Sequence, residues 1–168
     1  HRWTVTNGYF DPLWSARYEG ISRANAVLTG INRVEDIPEE EASRIRAEAR
    51  FLRAYFYFDL KKNFDNVPLI TEETEDFNQP NNIEEEIIWP QIEEDLQFAM
   101  DNLPPVMPDQ ARANKWAAAS FLAKAFVYQE KWDQAKSLFD DIIANGGTAT
   151  GVPYALEEQF AHNFNAAR

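Results

Sequence analysis

The 168-residue sequence contains no cysteine and only two histidines, His1 and His162. Without thiols there can be no disulfide, no thiolate nucleophile and no Cys-based zinc site. The redox compartment is left open. With two imidazoles near opposite ends of the chain, a His-rich metal centre or a Ser-His-Asp triad has almost nothing to draw on, so no catalytic and no metal residues are assigned and no cofactor is expected. Glycine numbers only 6, and no Gly-rich phosphate loop, P-loop or nucleophile elbow is present. Long apolar runs are missing too. A membrane helix needs ~20 apolar residues, and the nearest run, Ala117–Ala123, ends at Lys124. Basic residues are in deficit: 16 Lys and Arg stand against 28 Asp and Glu, a formal charge of −12. So acidic a chain repels phosphate backbones, which argues against nucleic acid as a partner. No segment alternates apolar and polar residues as a strand would.

What is present is apolar and helical. Hydrophobic residues make up 45% of the chain, enough for one domain with a core, read here as residues 1–168. Asp11-Pro12 looks like a helix start, Asp as the N-cap and Pro in the first turn. Trp14, Tyr18, Ile21, Asn25 and Leu28 then mark one face, Asn25 being its single polar member. A second helix is expected from about Pro38 to Phe64. Its main stripe is Ala42, Ile45, Ala49, Leu52, Phe56 and Leu60, and Phe51, Tyr55 and Phe58 form a second apolar side. Two such sides place it centrally. Asp65-Asn66-Val67-Pro68 suits a turn leading to extended chain, and Thr71–Asn82 reads as an exposed acidic loop. A third helix is expected over Ile83–Asn102, with Pro90 kinking it or splitting off its first turn. Pro104, Pro105 and Pro108 then make a loop.

Lys115–Glu130 and Asp133–Asn145 form a helical hairpin, with Trp132 at the turn, Asp133 capping the second helix and Gly146 ending it. Leu122, Ala123, Phe126, Trp132, Ala135, Phe139 and Ile142 fall at the spacings of a tetratricopeptide motif, a pair of antiparallel helices repeating every ~34 residues. Small residues sit where the helices touch and large ones fill the gaps. The expected fold is therefore all-α and tetratricopeptide-like, with residues 115–145 as one hairpin and the helices between Trp14 and Phe64 as a diverged second unit. Tyr154, Leu156, Phe160 and Phe164 are candidate anchors for the tail.

Four segments together resemble the SusD/RagB family: Trp14-Ser15-Ala16-Arg17-Tyr18 running to Ala24-Asn25; Ala47-Glu48-Ala49-Arg50-Phe51-Leu52-Arg53-Ala54-Tyr55 followed by Val67-Pro68-Leu69-Ile70; Ile92-Glu93-Glu94-Asp95-Leu96 running to Leu103-Pro104; and Arg112-Ala113-Asn114-Lys115 leading into Phe121-Leu122-Ala123-Lys124-Ala125. They occur in the family's order. One departure lies at Asp65-Asn66, where the family usually has a glycine. The resemblance implies a nutrient-binding protein of a Bacteroidetes-type outer membrane, lipid-anchored and exposed at the cell surface. Such proteins hold oligosaccharides for a SusC-like TonB-dependent transporter and are not hydrolases. The chain would then be an N-terminal-half piece of a longer protein, without its leader, its lipid-bearing cysteine or its second half. A tetratricopeptide-type protein–protein adaptor is the competing reading, weakened by the scarcity of regularly spaced Lys and Arg on the hairpin.

Glu48, Arg50, Arg53 and Asp59 lie in the most apolar helix and read as structural ion pairs. Asn25 reads as a bond to a neighbouring helix or loop. The acid pairs Glu72-Glu73 and Glu84-Glu85-Glu86 fall in a loop or at a helix start, where acids complement the helix dipole, and are poor evidence for glycosidase chemistry. Sugar recognition needs aromatic faces beside neutral polar groups. Trp3, Asn7 and Tyr9, just before the first helix, meet that description and are the candidate ligand-binding residues.

Overall fold

Residues 8–78, 86–159 and 161 are described by a computed structural model. Five helices follow in chain order: α1 Phe10–Ile31, α2 Glu39–Phe64, α3 Ile88–Asn102, α4 Lys115–Tyr128 and α5 Trp132–Asn145. Each packs on its neighbours in sequence, and α2 also touches α4. Among the described residues the only pairing of extended chain is an isolated bridge between Gly147 and Pro153. The fold is all-α, as expected.

Helix α2 is central, with α1 against one flank and α3 against another. Both of its expected apolar sides are buried in part. Ala42, Ala49 and Leu60 of the main stripe and Phe51 and Phe58 of the second side are buried, whereas Leu52 of the main stripe is 48% exposed and Tyr55 of the second side 38%. The reason is the neighbour: α3 and α4 bring Trp89, Ile92, Leu96, Leu122 and Ala125 to the Phe51–Phe58 side. The Leu52 side faces α1 through the small residues Ala16, Gly20 and Ala24, which leave a groove.

Three helix starts differ from expectation. Tyr9 occupies the N-cap position of α1 and makes no side-chain cap bond, so Asp11 lies inside the first turn. Burying Phe10 against Phe64, ring centroids 6.1 Å apart, outweighs a cap worth ~1 kcal/mol. Asp133 likewise lies inside α5, which starts at Trp132. Helix α3 starts at Ile88, with Pro90 in its first turn, where the missing amide has no helical partner. Residues 83–85 of the expected earlier turn lie outside the described residues, and Glu86 Oε1 accepts from the amides of Ile88 (3.1 Å) and Trp89 (3.2 Å).

Asn114 caps α4 in full. Its Oδ1 accepts from Ala117 N at 2.9 Å, and its Nδ2 donates to the carbonyls of Pro105 (2.8 Å) and Gly147 (3.0 Å). One buried side chain thereby joins the α3–α4 loop to the end of α5. Gly146 ends α5, and a Cβ there would meet the Ile142 carbonyl at 2.3 Å. The tail is anchored through backbone, Met107 N to Ala149 O at 2.9 Å. Of the expected anchors, Leu156 is instead fully exposed and Tyr154 is 41% exposed. Phe160 and Phe164 lie outside the described residues.

Candidate functional site

The α1–α2 pair is tied to the loop after α2 by buried polar groups. Arg53 is 2% exposed. Its Nε and Nη2 donate to the two oxygens of Asp95 at 2.7 and 2.8 Å. Its Nη1 donates to Asn25 Oδ1 at 2.9 Å and to Glu72. Asn25 Nδ2 in turn donates to the Ile70 carbonyl at 3.0 Å. Tyr57 Oη donates to the same carbonyl at 2.9 Å and accepts from Ile70 N at 2.7 Å. Tyr18 Oη donates to Pro68 O at 2.7 Å. Burial pushes both phenols above their ordinary range. Burial also raises the Asp95 carboxyl, against the pull of the Arg53 guanidinium. Apart from Asp95, which ties α2 to α3, these groups hold Pro68–Glu72 to the helices.

The acid-base cluster in α2 resolves into separate pairs. Glu48 meets Arg44 and Arg112, Arg50 meets Glu94, and Asp59 meets Arg17 and Lys62. Asp59 is raised by burial but lowered more by Lys62 and Arg17, and its carboxyl lies below the ordinary range. Among the described residues no group of three His, Asp or Glu side chains could hold a metal ion, and no helix is long and apolar enough to cross a membrane.

Of the sequence candidates, Trp3 and Asn7 lie outside the described residues. Tyr9 stands at the start of α1 and is 81% exposed. Beside it, Phe10 and Trp14 pack edge-on to Phe64, and Trp14 lies 5.0 Å from Tyr18, centroid to centroid. This aromatic file leads from Tyr9 to the Pro68–Glu72 loop.

Two concavities flank α1. The groove toward α2, about 520 Å³, is floored by Gly20, Ala24, Ala49 and Phe56 and rimmed by the charges of Glu19, Arg23, Glu48 and Arg112. On the other flank, a pocket of about 390 Å³ lies between α1 and residues 70–77 and carries hydroxyls, an amide, one carboxylate and the ring of Phe77. Sequence reasoning missed this pocket. Its signal was Phe77 itself, an aromatic in an acidic loop where no core needs one.

Helices stacked in sequence order define an all-α, tetratricopeptide-like fold. A family profile described as "Starch-binding associating with outer membrane" (SusD-like) matches residues 1–127, and the chain belongs to that family. SusD-like protein P25 of Formosa agariphila is 30% identical over 156 residues, 90% of this chain and 28% of that protein. A SusD-like protein of Bacteroides ovatus is 30% identical over 152 residues, 88% of this chain and 26% of that protein. Among solved structures, a laminarin-binding SusD-like protein superposes with a TM-score of 0.77 at 34% identity, covering 92% of this chain and 34% of that one. A structure described as containing xylogluco-oligosaccharide superposes at 0.75 with 28% identity, covering 86% and 31%. The chain thus spans about a quarter to a third of the length of these relatives.

Proposed function

We propose that this chain is the helical part of a glycan-binding protein. It captures oligosaccharide at the outer surface of the outer membrane, lipid-anchored as part of a longer polypeptide, and passes it to a SusC-like TonB-dependent transporter. The observation that carries this reading is the 34% identity, over 92% of the chain, to a protein that binds laminarin. We further read the chain as a binder and not a hydrolase. Glycosidases hold two carboxylates ~5–9 Å apart across a cleft, and here the half-buried and buried carboxylates Glu48, Asp59, Glu72 and Asp95 are each bound to a cation. The reading is tested by incubating the chain with laminarin and xyloglucan and assaying reducing ends. No release above buffer is expected. Release abolished by substituting one carboxylate pair would make it a hydrolase. Co-purification of a TonB-dependent transporter with the tagged full-length protein tests the partner.

One feature favours the adaptor as a second reading. Trp132, Phe139 and Ile143 lie along one line of α5 and are 60%, 38% and 76% exposed, an apolar stripe of the kind helical repeats present to proteins.

A further inference from the structure

The pocket between α1 and residues 70–77 has the two kinds of wall a pyranose needs. Phe77 is 70% exposed, and with Tyr18 and Ile21 it supplies apolar surface. Ser22, Thr29 and Thr74 supply hydroxyls at the same pocket. Among the described residues no hydrogen bond uses the Ser22 or Thr29 hydroxyl, and Thr74 Oγ1 accepts from Thr71 N at 2.9 Å and lies 3.4 Å from Thr71 Oγ1. Glu72 lines the pocket and spends one oxygen on Arg53. Its other oxygen can accept from a pair of sugar hydroxyls, and a charged acceptor makes the stronger bond.

The shape is held, not improvised. Ile70 is fixed by Tyr57 and Asn25, and Glu72 by Arg53, so the pocket wall rests on a buried network. A preformed wall spares the ordering cost of binding. At about 390 Å³, the cavity falls at the small end of the ~300–1,000 Å³ typical of ligand sites.

Charge narrows the ligand. No Lys or Arg lines the pocket, Glu72 does, and Glu73, Glu75 and Asp76 follow in the same loop. Sulfate or uronate groups would meet like charge there. Neutral hydroxyl-bearing rings would not.

We infer that this pocket is a carbohydrate subsite for a neutral sugar ring, with Phe77 against the ring face and Glu72, Ser22, Thr29 and Thr74 on its hydroxyls. The inference rests on the glycan-binding reading above and adds a place and a charge preference to it. The test is amide chemical-shift mapping on the purified chain, which reads weak binding. The probes are laminarihexaose, a xyloglucan heptasaccharide and, as the anionic arm, a sulfated hexasaccharide. Saturable shifts at Ser22, Thr29, Thr71, Thr74 and Phe77 are expected with the neutral probes. The sulfated probe should bind about tenfold more weakly, and Phe77→Ala should weaken the neutral probes by about tenfold. Ser22→Ala, on the exposed side of α1, should weaken them less while leaving the circular dichroism intact. Shifts confined to other residues, with Phe77→Ala and Ser22→Ala both without effect, would overturn the pocket and leave glycan binding standing. Preference for the sulfated probe would overturn the charge argument. Absence of any shift with either neutral probe would overturn the glycan-binding reading along with the pocket.

Discussion

Asp65 closes α2 at φ 62° and ψ −104°, a conformation that L-residues reach only with strain and glycine reaches freely. Its side chain is 82% exposed, and the buried Lys61 with which it pairs keeps Glu86 as a second partner at 2.6 Å. Asp65→Gly should therefore stabilise the chain, by about 0.5–1 kcal/mol once glycine's extra freedom in the unfolded state is set against the relieved strain. A urea midpoint that falls would contradict this. Arg53 makes the opposite case. Asp95→Ala strips a buried guanidinium of its bidentate partner and should cost ~3–5 kcal/mol, whereas Arg53→Met with Asp95→Leu should recover most of the loss. Asp59 gives a pH signature. Its folded pKa is lowered by Lys62 and Arg17 against an opposing rise from burial. The unfolded chain therefore takes up this proton first as pH falls, and the stability Asp59 contributes is present above ~4, the ordinary Asp range. It is lost as pH drops through the depressed folded value. Urea titrations should show the gap between wild type and Asp59→Asn closing below that range, and a constant gap would deny the depressed pKa. That Arg53 and Asn25 needed polar partners was legible, since each interrupts an apolar face. That Arg53 would find Asp95, 42 positions away, was not, because such a partner is chosen by how α2 lies on α3.

At the scale of elements, periodicity located all five helices and most of their buried faces. It put Leu52 and Tyr55 on apolar sides of α2, where they stand 48% and 38% exposed, because a stripe records which side chains are apolar, not which neighbour arrives to cover them. It misplaced helix starts because Asp11 and Asp133 are good caps in isolation, while aromatic contacts such as Phe10 on Phe64 are tertiary. The hairpin tests whether the small residues of the repeat pattern set helix spacing. Ala123 is fully buried and clusters with Trp116, Ala119 and Ile142. Ala123→Leu should overpack this contact at about 1–3 kcal/mol. An unchanged melting temperature would mean that α4 and α5 do not meet there.

At the scale of the whole molecule, the described helices stack in sequence order, each pair supports the next, and none of their contacts joins α1 to α5. That arrangement, and the family to which the chain belongs, were legible because four motifs fell in order along the sequence. Of the candidate site less was legible: Tyr9 stands exposed at the start of α1, Trp3 and Asn7 lie outside the described residues, and the Phe77 pocket needs the Pro68–Glu72 loop folded back over α1, which no local pattern encodes. The proposed role is glycan binding. Isothermal calorimetry of the full-length protein with laminarihexaose tests it most directly. Saturable binding between micromolar and millimolar strength, ~4–8 kcal/mol, is the predicted result. A flat titration up to the solubility of the sugar, repeated with the xyloglucan heptasaccharide, would contradict it.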